Sequence, residues 1–170
     1  MNSKPPPEKI AIRRAQREDA PALLRLIIAL AEFEKLAPPD AAAQKRLVAD
    51  GFGERPRFEC WLAFWDGAPE PVAYSFLFET YSSFLALPTL YLEDIFVLPD
   101  FRGRGIGTSL LRHGINIARE RGCGRMEWTC LDWNTKAQGT YERLGANRMS
   151  QWLLYRLTRE SIHAAFAPPQ

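Results

Sequence analysis

Residues 89–107 read as a strand that runs through a glycine turn straight into a helix. Residues 89–98, TLYLEDIFVL, are rich in β-branched and aromatic side chains, and Pro99-Asp100 ends the run. Arg102, Gly103, Arg104, Gly105, Ile106, Gly107 and Thr108 follow. Ile106, Leu110, Leu111, Ile117 and Ala118 then recur at helical spacing until Gly122 and Gly124. Strand, glycine turn and amphipathic helix in that order are part of a layered α/β fold. Glycines at such a turn leave backbone N–H groups pointing outward, with the positive end of the helix dipole behind them. Arg102 and Arg104 add fork-shaped donors suited to phosphate oxygens. The turn therefore reads as a diphosphate cradle. It is not a P-loop, because no Lys-Ser or Lys-Thr follows the glycines. It is not a dinucleotide fingerprint either, because G-x-G-x-G late in a chain is not G-x-G-x-x-G after a first strand.

The rest of the chain supplies the partners of this unit. Residues 10–15 predict a short strand. Asp19 is a candidate N-cap, with Pro21 in the first turn of a helix over 23–36 that stops before Pro38-Pro39. Asp40 is placed to cap a second helix, stopped at Gly51 and Gly53. Residues 58–65 and 71–81 predict two strands joined through the Asp66-Gly67 turn, so a hairpin is expected. After the glycine turn come a strand over 126–131, a helix from the Asn134 cap to Leu144 closed by Gly145, and a last strand over 152–157. The expected class is a mixed α/β (α+β) sheet with helices on its faces. Residues 1–9 are expected to be a flexible segment, 10–158 a single domain and 159–170 a tail.

The 170 residues, 46% hydrophobic and 25% charged, describe an ordinary globular chain with a core of useful size. The longest clean apolar run, residues 26–31, is far short of the roughly 20 residues of a spanning helix, so no membrane partner is expected. The proline-rich start holds no apolar core of a secretory signal. Cys60, Cys123 and Cys130 form no C-x-x-C pair, so neither a disulfide framework nor a metal site is expected, and a reducing cytoplasm fits. His113 and His163 have no partners at ligand spacing. Net charge is only +2, which argues against nucleic acid, but the charge is unevenly spread. Residues 58–101 hold no Lys or Arg and seven acids, whereas 102–125 hold six arginines and one acid, Glu120. The first stretch favours cations and the second anions.

Glu93 and Asp94 stand side by side in the most apolar strand, where an unpaired charge is costly. Strict alternation groups Leu90, Leu92, Asp94 and Phe96 on one face and Tyr91, Glu93, Ile95 and Val97 on the other. One of the two acids is thus a candidate functional group and the other a candidate structural one. Tyr141, at helical spacing from Ala137 and Leu144, reads by itself as a core aromatic.

Several motifs together resemble the GNAT superfamily of N-acetyltransferases. Arg102-x-x-Gly105-x-Gly107 after an apolar strand is similar to its acetyl-CoA signature. Tyr91-Leu92-Glu93-Asp94-Ile95-Phe96-Val97, Leu131-Asp132-Trp133-Asn134 and Tyr141-x-x-Leu144-Gly145-Ala146 resemble its diamine branch, the spermidine/spermine and thialysine acetyltransferases. The resemblance runs from about Ile10 to Leu157. It implies a central, mostly antiparallel twisted sheet of six to seven strands flanked by about four helices. It implies acetyl-CoA as co-substrate, no metal, and a homodimer. The glycine turn, residues 102–108, is then the pyrophosphate loop. The backbones of Ile95, Phe96 and Val97 meet the pantetheine arm, and Asn134 contacts the cofactor. Glu93 is the base, through water, and Tyr141 the acid that protonates the leaving thiolate. Glu34, Glu93 and Asp94 are acceptor-binding acids. An alkylammonium of pKa near 10 must lose a proton before it attacks a thioester, so an acid–base pair fits the chemistry.

The branch pattern departs in two places. Ser82 stands where polyamine enzymes carry an acid, and Met149-Ser150-Gln151-Trp152 is short and lacks their acidic pair. A small diamine or lysine-like amino acid is therefore favoured over spermine. A peptide or protein amine as acceptor, and a non-catalytic acyl-CoA sensor, stay open as alternatives.

Overall fold

The structure, a computed structural model, describes residues 9–165. Most of the expected N-terminal segment and the last five residues of the expected tail lie outside the described residues. Two compact units divide between Thr129 and Cys130.

The first unit is a five-stranded sheet with helices on both faces. In chain order it holds β1 (Ile10–Arg14), α1 (Ala20–Glu34), α2 (Ala41–Phe52), β2 (Glu59–Trp65), β3 (Ala73–Ser82), β4 (Leu87–Val97), α3 (Ile106–Glu120) and β5 (Arg125–Glu127). The spatial order is the chain order, β1-β2-β3-β4-β5. The first three pairings are antiparallel, including the expected β2–β3 hairpin. β4 and β5 are parallel, because α3 carries the chain back across one face.

Two cores flank the sheet. On one face Leu23 and Leu26 of α1 pack with Leu62, Tyr74 and Phe96. On the other, Ile106 and Leu110 of α3 pack with Ala63, Val72 and Ala73. Asp40 caps α2 as expected, accepting from the Ala43 N–H at 2.7 Å. Asp19 sits at the start of α1 but its side chain does not cap that helix. Its carboxylate accepts two guanidinium bonds from Arg13, at 2.6 and 2.8 Å, and the Gln16 N–H at 2.8 Å. The Arg13 fork outcompetes a helix N–H for it, because a bidentate charged pair is the stronger acceptor arrangement. α2 also runs past Gly51, one of the two expected stops, and ends at the other, Gly53. A Cβ at Gly51 would lie 2.6 Å from the Phe58 ring, so that glycine admits an aromatic neighbour and does not end the helix.

The second unit holds α4 (Thr135–Arg143) and α5 (Arg159–Ala164). Asn134 caps α4 through its Oδ1, 3.3 Å from the Ala137 N–H, and Gly145 leaves it in the left-handed region at φ 90°. Among the described residues the sheet has five strands, not six or seven. Residues 152–157 are not a strand, and the strand expected over 126–131 contracts to β5. A strand needs a neighbour to bond its N–H and C=O groups, and residues 152–157 join no ladder among the described residues. Their side chains stay exposed, Tyr155 by 85%.

Candidate active site

β4 is irregular at the acidic pair. Across the β3–β4 ladder Tyr74 faces Phe96 and Phe76 faces Asp94, and then Leu77 faces Leu92. Glu93 has no partner across the ladder and is the extra residue of a β-bulge. Cross-strand partners share a face, so the bulge rephases the strand. Asp94 and Phe96 lie with Tyr74 and Phe76 on the α1 side. Leu90 and Leu92 lie with Glu79 and Leu77 on the α3 side. This corrects the grouping that strict alternation gave, in which all four β4 residues shared a face. Two contacts agree with it. The rings of Phe78 and Tyr91 sit 5.1 Å apart, and Leu77 lies 3.9 Å from where Gly114 of α3 would carry a Cβ.

The bulge leaves Glu93 exposed while Asp94 is drawn into the α1 side. The hydroxyl of Tyr74 donates to Asp94 Oδ2 at 3.0 Å. Burial pushes the Asp94 carboxyl up to about 6, the Tyr74 hydrogen bond opposes that, and the charges of Glu93 and Glu34 add to it. Burial also raises Glu34, at the C-terminal end of α1. Asp94 therefore feels the charges of both Glu93 and Glu34, and none of the three is ion-paired among the described residues. Such a group of carboxylates lowers its own energy by taking up a cation.

Directly after β4 the chain enters the glycine turn. Gly103 and Gly105 have φ of 77° and 82°, and a Cβ at either would meet nothing, so backbone conformation and not space requires glycine there. Gly105 begins α3 without a side-chain cap, which leaves the N–H groups of Ile106, Gly107 and Thr108 without helical partners. Those groups and the helix dipole fit an anion. The two arginines hold the turn in shape. Arg102 donates from Nε to the Val97 carbonyl at 2.9 Å, with its guanidinium 4.3 Å above the Phe33 ring of α1. Arg104 donates to the Asp100 carbonyl at 3.1 Å and lies over Trp65.

The cradle continues along β4. The β4–β5 ladder covers only Thr89, Leu90 and Tyr91, so from Leu92 to Val97 the strand is laddered on its β3 side alone. Ile95 and Val97 turn their N–H and C=O groups to the opposite edge, where the Val97 carbonyl accepts from Arg102, whereas those of Phe96 face β3. Their side chains serve the cores, Phe96 on the α1 side and Ile95 and Val97 on the α3 side.

In the second unit Tyr141 is half-buried on α4, and its phenol is pushed up to about 12, chiefly by burial and further by Cys130. It stays protonated at neutral pH and so is a proton donor. Asn134 precedes it by two helical turns and spends its Oδ1 on the cap. Among the described residues no group of His, Cys, Asp and Glu is arranged to hold a metal ion.

The sequence reading missed Tyr74. Its one signal was a tyrosine in an apolar strand where phenylalanine would fill the same space. Ser82 is buried at the end of β3 and accepts the Leu85 N–H at 3.3 Å, so it shapes the β3–β4 hairpin.

Residues 22–146 match the Acetyltransferase (GNAT) family. The chain is 38% identical to the thialysine N-epsilon-acetyltransferase of Mus musculus over 160 residues, 89% of this chain and 94% of that protein. It is 28% identical to the L-ornithine N5-acetyltransferase NATA1 of Arabidopsis thaliana over 196 residues, 90% of this chain and 86% of that protein. An integron cassette protein from V. cholerae superposes with a TM-score of 0.76 at 22% identity, covering 92% of this chain and 97% of that one.

Proposed function

Starting from a chain that belongs to the GNAT family of acetyltransferases, we propose that it acetylates the primary amine of a small cationic acceptor, using acetyl-CoA. Thialysine or a lysine-like amino acid is the favoured acceptor, ahead of short diamines and polyamines. The observation that carries this reading is Asp94, half-buried on β4, within reach of the charges of Glu93 and Glu34, none of the three ion-paired among the described residues. A peptide backbone has no need of such a site, whereas an amine with a second ammonium does. Ser82 in place of an acid supports a short acceptor.

Acetyl-CoA supplies an acyl group already activated as a thioester. The N–H groups of Gly103 to Thr108 hold the diphosphate, with Arg102 and Arg104 bracing the loop. The stretch of β4 at Ile95, Phe96 and Val97, laddered on one side only, meets the pantetheine arm, and Asn134 contacts the cofactor. Glu93, set outward by the bulge, takes the ammonium proton through water, so the neutral amine attacks the acetyl carbon. The new N–C bond forms as the C–S bond breaks, Tyr141 gives its proton to the departing thiolate, and the second proton that the acylated nitrogen sheds passes through solvent to restore the phenol. Asp94 and Glu34 hold the acceptor's second positive charge. The working unit is a homodimer in the cytoplasm, and size-exclusion chromatography with light scattering tests the first part.

The decisive experiment incubates the purified protein with acetyl-CoA and thialysine, lysine, ornithine, short diamines, spermidine, a basic peptide or no acceptor, with products read by mass spectrometry. The expected result is mono-acetylation of thialysine or another small diamino acid well ahead of spermidine and the peptide. Acetylation of the peptide alone overturns the acceptor class. Binding of CoA with no product from any amine makes the protein an acyl-CoA sensor instead.

A further inference from the structure

Tyr74 is completely buried, on β3, in the core made with Leu23, Leu26 and Phe96. Phenylalanine would fill that space equally well, and a buried hydroxyl without a partner is unfavourable by the full desolvation of a polar group. The register explains its presence. Tyr74 faces Phe96 across the ladder and Phe76 faces Asp94, so Tyr74 and Asp94 are diagonal neighbours on one face, within reach of a long aromatic side chain. The hydroxyl meets Asp94 Oδ2 at 3.0 Å. Without the bulge at Glu93 the ladder would carry no such offset between Leu92 and Asp94.

We propose that Tyr74 is the positioning residue of the acceptor site: through its hydroxyl it keeps Asp94 ionised and aimed, so that Asp94 anchors the second positive charge of a short diamino acceptor. The inference rests on the function proposed above and adds a residue and a task to it. The groups facing Asp94 make the task necessary. Glu93 on its own strand and Glu34 on α1 disfavour its charge, and Cys60 on β2 lies close enough to feel it. Arg102 lies over the Phe33 and Phe96 rings and bonds the Val97 carbonyl. Burial holds the Tyr74 phenol far above its usual range, so it is always a donor to the carboxylate. A hydrogen bond given to the charged form of an acid favours that form. Tyr74 is thus the one neighbour named here that favours the anion. An arriving ammonium completes what it begins.

The test is Tyr74→Phe, which keeps the ring and removes only the donor. With thialysine as acceptor at pH 7, KM for thialysine should rise about tenfold, the ratio set by one hydrogen bond to a charged group. KM for acetyl-CoA should stay at its wild-type value. The acid limb of kcat/KM for thialysine should move up by about one pH unit. Carbon-detected NMR of the Asp94 carboxyl, without substrate, should show it titrating at higher pH in the variant. Asp94→Asn should raise KM for thialysine at least as far, and adding Tyr74→Phe to it should change nothing more. If Tyr74→Phe leaves KM for thialysine and the Asp94 titration unchanged, Tyr74 is core packing alone and the inference falls. It falls too if KM for both substrates and the thermal stability shift together. A wild-type protein that acetylates no small amine removes the underlying function, an outcome seen before any variant is made.

Discussion

The same sheet carries two groups of carboxylates, one on each face, and they are built on opposite principles. On the α3 side Glu59 is almost fully buried, with Arg121 at 2.6 Å and Arg14 at 3.7 Å, and Arg121 also holds Glu79 at 3.0 Å. On the α1 side Asp94 is half-buried, within reach of the charges of Glu34 and Glu93, and among the described residues a tyrosine hydroxyl is what satisfies it. The first group is electrically closed, and its charges tie β2, β3 and the end of α3 together. The second is open and holds negative charge that the fold does not neutralise. Closed charge serves the fold. Open charge next to a strand edge and a glycine turn is, under the proposed function, there for a ligand.

Substitutions in the two groups should therefore fail in different ways. The largest effect is expected at Glu93→Gln, which should lower kcat for the acceptor amine by about a hundredfold or more, as loss of a general base does. Its urea midpoint should stay close to wild type, because Glu93 is exposed and outside the ladder. A normal kcat in that variant would dissolve the contrast. Next comes Arg121→Met, which strands the buried Glu59 and should remove about 3 kcal/mol of stability, roughly 10 °C in Tm. Calorimetry reads this, and kcat at low temperature should survive.

Asp94 makes the third comparison, through pH. Its folded pKa of about 6 lies above the 3.8 of an ordinary carboxyl, so the folded protein keeps a proton that the unfolded chain has released. The stability this gives is complete below about pH 4 and is lost as pH rises through 6. Asp94→Asn should remove that loss, so between pH 4 and 7 the variant should gain roughly 2 kcal/mol on wild type in urea unfolding. Parallel curves would mean that Asp94 is as solvated as a surface acid. The smallest effect belongs to Arg25→Ala. The Arg25–Glu70 pair, at 3.1 Å, is more than half exposed on both sides, and its loss should change stability by about 0.5 kcal/mol or less. An equally small effect at Arg121 would show that burial does not separate the two kinds of pair.

Much of this could be read from the residues in order. The hairpin of β2 and β3, the apolar β4, the glycine turn and the α3 stripe all stand close to where periodicity and turn chemistry put them. Their signals are local. The bulge was hidden, because Leu90, Leu92, Asp94 and Phe96 alternate without a break in sequence, and only pairing with β3 shows that one residue is left over. The missing strand at residues 152–157 has the same origin. Its composition suits a strand, but composition cannot supply a neighbour. Arg102 and Arg104 were read as phosphate donors from their place in the motif, and the structure also gives them the task of bracing the turn.

Sequence alone determined the class of fold, the glycine turn and the acidic pair in the apolar strand, because each depends on residues within one or two turns or one strand of each other. Tertiary structure alone decided which acid is which. A single unpaired residue turns Glu93 outward and Asp94 toward α1, and a tyrosine twenty positions earlier in the chain then meets Asp94 at hydrogen-bond distance. Whether a carboxylate is neutralised, as Glu59 is, or left open, as Asp94 is, depends on which side chains long-range pairing brings within a few ångströms, and electrostatic energy at that range is set by distance and burial and not by order along the chain.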